Sequence, residues 1–127
     1  MDENEISKII INCAIEIHKK LSIGLLESVY EIVLAYELES VGLKVDRQKP
    51  IPLIYKELKF LEAFRADLIV NESVIIEIKS VEKIAKVHCK QLLTYLRLMN
   101  KKLGILLNFG EEIMKDGIHR AVNGLKL

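Results

Sequence analysis

Apolar residues Ile6, Ile9, Ile10, Cys13, Ala14, Ile17 and Leu21 recur at three- and four-residue spacing, the stripe of an amphipathic helix over residues 3–21. Ser22-Ile23-Gly24 interrupts it, and a second helical pattern over 25–41 closes at Gly42, a residue type that commonly ends helices in the left-handed conformation. Residues 43–48 read as an irregular extended segment. Pro50-Ile51-Pro52 then leads into a short strand over 53–55, and the two prolines place it at a sheet edge. The stretch 64–79, FRADLIVNESVIIEIK, reads as two strands joined by Asn71, Glu72 and Ser73, a common hairpin loop length. Helical spacing returns over 84–100, with Ala85, Cys89, Leu92, Leu93, Leu96 and Met99 facing inward. A buried-type strand, LGILLN, follows over 103–108, then one helical turn and a last strand near 118–122. The core order αβββαβ predicts an α+β fold, a central mixed sheet flanked by helices.

The hairpin pattern carries a specific expectation. If Val70 pairs with Val74, Asp67 lies opposite Glu77 and Arg65 opposite Lys79. Alternation then puts Phe64, Ala66, Leu68, Val70, Val74, Ile76 and Ile78 on one wholly apolar face and the four charges on the other. Like charges directly opposite each other are unfavourable by roughly 0.2–1 kcal/mol per pair. A divalent cation between the carboxylates and a phosphate near the two cations would offset both clashes. A solvated face, with Arg65 reaching diagonally to Glu77 and Asp67 to Lys79, accounts for the same residues at little cost.

The length of 127 residues fits one domain, 1–127, with a core of useful size. No apolar run approaches the length of a membrane span, and the acidic start MDENEIS does not resemble a secretory signal, so the chain is expected in the cytoplasm. Cys13 and Cys89 sit inside apolar helical patterns without metal-ligand spacing and read as reduced core residues. A net charge of +1 gives no global reason to expect nucleic acid, but its distribution is uneven. Residues 1–40 hold eight acids against three Lys/Arg, whereas residues 79–102 hold seven Lys/Arg against the single acid Glu82. That local basic stripe suits phosphate contacts, and it equally suits a solvated lysine-rich helix face.

Three further positions bear on chemistry. Glu27 shares a side of the second helix with Tyr30, Glu31, Leu34 and Leu38. A carboxylate in such a stripe needs a partner, although with Gly24 as N-cap it would sit at the third helical position, where free amides favour an acid. His18, near the end of the first helix, suits the macrodipole there in a capping or surface role. On one flank of the 84–100 helix, His88, Gln91 and Tyr95 align beside Lys83, Lys86 and Lys90.

With these elements placed, the chain resembles the PD-(D/E)XK nuclease superfamily, which shares the αβββαβ order. Its signature, an acid on the second core strand and (D/E)-x-K on the third, is matched by Asp67 and by Glu77-Ile78-Lys79, and Gln91 and Tyr95 match the Q-x-x-x-Y element of its RecB-like branch. Gly24-Leu25-Leu26-Glu27-Ser28-Val29-Tyr30 further resembles the motif of the GxxExxY protein family. Two departures stand out: Ser22-Ile23-Gly24 stands where that family commonly has Gly-Pro-Gly, and Ala66 where the superfamily name has proline. The resemblance implies a Mg²⁺-dependent nuclease acting on nucleic acid, most readily DNA, with Mn²⁺ able to substitute. Asp67, Glu77 and Glu27 would hold the metal, and Lys79 would complete the catalytic set. Arg65, Gln91, Tyr95, Lys83, Lys86 and Lys90 would contact substrate. A noncatalytic module binding nucleic acid or protein on the same fold is the alternative. Small size favours a homodimer or a protein partner.

Overall fold

The computed structural model describes residues 1–125; Lys126 and Leu127, the end of the expected 1–127 domain, lie outside the described residues. Helix α1 spans Glu3–Leu21 as its apolar stripe requires, capped by Asp2, whose carboxylate accepts the Glu5 amide at 2.8 Å. Helix α2 spans Glu27–Ser40, β1 Val45–Tyr55, β2 Leu58–Val70, β3 Val74–Lys79, α3 Lys86–Met99, β4 Leu103–Asn108 and β5 Ile118–Val122, the last preceded by a 3₁₀ turn over Met114–Gly117. The strands form one five-stranded sheet in chain order. Only β3 and β4 run parallel, joined by the α3 crossover, so the sheet is mixed and the fold is α+β. None of the described helices is long and apolar enough to cross a membrane.

Two apolar cores lie on opposite faces of the sheet. One packs α1 and α2 on Leu68, Val70, Val74, Ile76, Ile78, Leu103, Ile105 and Leu107. The other packs Leu92 and Leu96 of α3 on Ile51, Ala66, Ile69, Ile75 and Leu106. This overturns the expectation of one apolar hairpin face. Ala66 and half-buried Phe64 belong to the α3 core, whereas Leu68 and Val70, of the same parity, belong to the α1/α2 core. In β1, Val45 and Ile51 divide in the same way. The pleat therefore slips by one residue in both strands at the same level. Its cause is Gln48, which adopts φ 52° inside β1, leaving it and Asp67 out of a ladder whose neighbours are Arg47↔Leu68 and Lys49↔Ala66.

Other expectations shift by small amounts. The segments 43–48 and 53–55 are one strand, because the chain bends at Gln48 without leaving β2. Leu26, not Gly24, is the N-cap of α2, which moves Glu27 from the third helical position to the first. His18 is buried rather than at the surface, its Nε2 2.7 Å from the Glu111 carbonyl oxygen. Ala85 is the exposed N-cap of α3, and its amide donates to His88 Nδ1 at 3.2 Å, so His88 closes a helix end. Cys13 and Cys89 are half-buried free thiols.

Candidate metal and phosphodiester site

The site is built where β2 and β3 part. Their ladder holds the 144-sum register, Val70↔Val74, Ile69↔Ile75 and Leu68↔Ile76, and stops there. One residue further, side chains replace the backbone bonds. The Ile78 amide donates to Asp67 Oδ2 at 2.8 Å, and the Asp67 amide donates to Glu77 Oε2 at 2.9 Å. Each acid thus binds a main-chain amide of the other's strand, a reciprocal clasp that holds the two carboxylates close enough for each to feel the other's charge. The slip at Asp67 makes this possible: with regular pleating its carboxylate would lie on a sheet face, not at the level of the Ile78 N–H.

The electrostatics follow from burial. Glu77 is buried, and loss of water, reinforced by the nearby Asp67 carboxylate, pushes its carboxyl from 4.5 up to about 8. Burial also raises Asp67, against hydrogen bonds from Ile78 and Gln48 that favour its charged form. Lys79 acts on both acids through its charge, favouring their ionised forms. Among the described residues it makes no direct ion pair, so neither diagonal pair of the solvated-face reading forms. Arg65 instead bonds Glu62, and its backbone faces Pro50 across β1, not Lys79. The reason is again the end of the ladder at Leu68↔Ile76, beyond which β2 follows β1 away from β3.

Glu27 reaches the rim. Its Oε2 accepts the Ser80 amide at 3.1 Å, directly after Lys79, and Ser80 Oγ donates to the Leu25 carbonyl oxygen at 3.1 Å. The loop before α2 is held by Tyr30, fully buried, which donates to the Ser22 carbonyl at 2.6 Å and accepts the Leu25 amide at 3.2 Å. Its ring stacks on Phe109 with centroids 4.5 Å apart. Spacing Gly24, Glu27 and Tyr30 three residues apart therefore couples a left-handed turn, an acid on the rim and an anchor in the core.

Tyr95 stacks on Phe64 at 3.8 Å, and its hydroxyl is raised by desolvation and by the charges of Glu77 and Asp67, which places it by the acids. Gln91, Lys83, Lys86 and Lys90 are exposed, Lys83 on the loop before α3 and the others on α3 itself.

Four residues were not singled out by the sequence pattern. Gln48 Nε2 lies 2.6 Å from Glu31 Oε1 and 3.2 Å from Asp67 Oδ1. Glu31, buried on α2, also takes Arg47 Nη2 on its other oxygen at 3.0 Å. Asn108, fully buried at the end of β4, accepts the amides of Val81 and Gly110 and donates to the Val81 carbonyl, fixing the chain that leaves Lys79. Ser80 is the fourth. A polar residue ending a buried apolar strand was the available signal for Asn108; nothing in the local pattern marked Gln48.

As a donor set, the buried Glu77 and half-buried Asp67 carboxylates, which repel each other beside a lysine, fit a hard divalent cation that keeps several waters. Among the described residues, no group of three or more His, Cys, Asp or Glu side chains is arranged to hold a metal, so the fit rests on the Asp67–Glu77 pair. No curated protein and no solved structure matches the chain. The family model described as the PD-(D/E)XK nuclease superfamily matches residues 4–121, covering both acids, Lys79 and every strand but the last residue of β5. The chain belongs to the PD-(D/E)XK nuclease superfamily.

Proposed function

We propose that the protein is a divalent-metal-dependent nuclease that hydrolyses phosphodiester bonds in DNA, with Asp67 and Glu77 as metal ligands. The observation that carries this reading is the reciprocal clasp, which holds two acids together although, among the described residues, neither has a cationic partner in direct contact. Mg²⁺, or Mn²⁺ in its place, would neutralise phosphate charge and make water a stronger acid. Glu77 would hold the cation in its ionised form, giving up the proton that burial favours. Asp67 keeps its orientation through Ile78 and Gln48. Glu27, tied to Ser80, would contribute as an additional or water-mediated ligand. Lys79 offers its amine to the attacking water and to the developing phosphate charge. Tyr95 and Gln91 position the substrate, and Lys83, Lys86, Lys90 and Arg65 contact its backbone phosphates.

The test is cleavage of labelled single-stranded, duplex and branched DNA and matching RNA, with Mg²⁺, with Mn²⁺ and with chelator, beside an Asp67→Ala/Glu77→Ala double variant. Metal-dependent fragments from the wild type alone are expected. Equal binding of DNA with and without chelator, and no fragments under any condition, would leave a noncatalytic binding module on this fold.

A further inference from the structure

Among the described residues, Gln48 is the single non-glycine residue with a left-handed backbone inside a strand; the others, Ser22, Lys56, Asn71, Glu72 and Asn100, lie in turns or helix caps. Such a conformation is unfavourable for a side-chain-bearing residue, and glycine would adopt it freely. Local backbone shape alone therefore argues for glycine at this position. A glutamine is held there by what its side chain does. Both atoms near its terminal nitrogen are carboxylate oxygens, from Glu31 and Asp67, so the group facing them must be the amide NH₂, the only donor in a glutamine side chain. Glu31 is a fixed anchor, because it is buried on α2 and its second oxygen is taken by Arg47.

We propose that Gln48 is the positioning residue of the acid pair: its amide, anchored on Glu31, holds Asp67 Oδ1 while Ile78 holds Oδ2, so that Asp67 is oriented before a cation arrives. The inference rests on Asp67 being a metal ligand. It extends the site from β2 and β3 to β1 and α2, through a chain running Arg47, Glu31, Gln48, Asp67. Partners that orient ligands in this way commonly set metal affinity by about 10- to 100-fold.

Two variants separate this from a purely backbone role. Gln48→Gly removes the side chain while relieving the left-handed strain, and Gln48→Met keeps the length but has no donor. Mn²⁺ affinity is measured by calorimetry on wild type, both variants and Asp67→Ala, with melting in chelator to establish that each is folded. The expected result is a loss of about 10- to 100-fold in Mn²⁺ affinity for both Gln48 variants. The half-saturating Mn²⁺ for cleavage should rise by the same factor, with near wild-type kcat once metal is saturating. Wild-type Mn²⁺ affinity in Gln48→Gly would overturn the inference and leave Gln48 as a turn residue, with the metal site intact. Equal Mn²⁺ binding by wild type and Asp67→Ala would remove the metal-site reading itself, and this inference with it.

Discussion

Replacing Glu77 by glutamine removes the charge while keeping an oxygen for the Asp67 amide, and its effect should depend strongly on pH. In the folded chain the Glu77 carboxyl stands at about 8 against its ordinary 4.5. A folded value above the unfolded one means that the contribution to stability is fully present below the ordinary value and is lost as pH rises through about 8. Each pH unit of that gap is worth about 1.4 kcal/mol, so the whole gap sets a ceiling of about 5 kcal/mol, and relaxation around the site reduces this to roughly 2–5 kcal/mol. Glu77→Gln should therefore match the wild type near pH 4 and exceed it in chelator at pH 8.5 by that amount, or roughly 8–20 °C in melting temperature for a chain between the size classes of small and medium domains. Added Mg²⁺ or Mn²⁺ should raise the wild type and leave Glu77→Gln nearly unchanged. A cation held by the acid pair would displace the Glu77 proton, so wild-type metal affinity should rise by about tenfold per pH unit between pH 5 and 8. Thermal melts of both proteins across this range, with and without metal, provide the assay. Parallel pH profiles in chelator would refute the reasoning, because they would mean that Glu77 is ionised in the metal-free fold.

Lys79→Met should bind Mn²⁺ and DNA nearly as the wild type does yet lose about 10²–10⁴-fold in single-turnover cleavage, while cleavage near the wild-type rate would remove Lys79 from the chemistry. Tyr30→Phe deletes the hydroxyl that ties Ser22 to Leu25 and should cost about 1–3 kcal/mol in urea unfolding, with an unchanged urea midpoint contradicting the anchoring role. Changing Lys83, Lys86 and Lys90 together to glutamine should weaken DNA binding with little sequence preference. It should also flatten the slope of log K against log salt by about 2–3 for duplex, and an unchanged slope would place the phosphates elsewhere.

Much of the fold can be read along the chain because it rests on periodicity. The α1 stripe fixes a helix over Glu3–Leu21, and the Asn71-Glu72-Ser73 loop fixes the 144-sum register as far as Leu68↔Ile76. The acids were identifiable for the same reason, since counting from the turn brings Asp67 level with Glu77. Alternation fails one step later, where a left-handed glutamine reverses the pleat of two strands. No residue type announces that reversal: Gly or Asn would have marked it, and Gln does not. Glu31 was hidden differently. It lies within the helical stripe that includes Leu34 and Leu38, and only its partners across the sheet, Arg47 and Gln48, show why a carboxylate is buried there. The basic stripe of α3 was visible as composition, but the role of His88 in closing the helix depends on backbone geometry.

The slip at Gln48 and Asp67 also constrains how the chain can change in length. On either side of it, residues of equal parity serve opposite cores, so losing one residue at that level would exchange interior and exterior positions along the outer parts of β1 and β2. Ile51 and Ala66 would turn away from α3 as a consequence. The Lys56–Glu57 turn lies beyond both cores and imposes no such parity. A scan of single-residue insertions should therefore find the distal turn permissive and the positions flanking 48 and 67 intolerant.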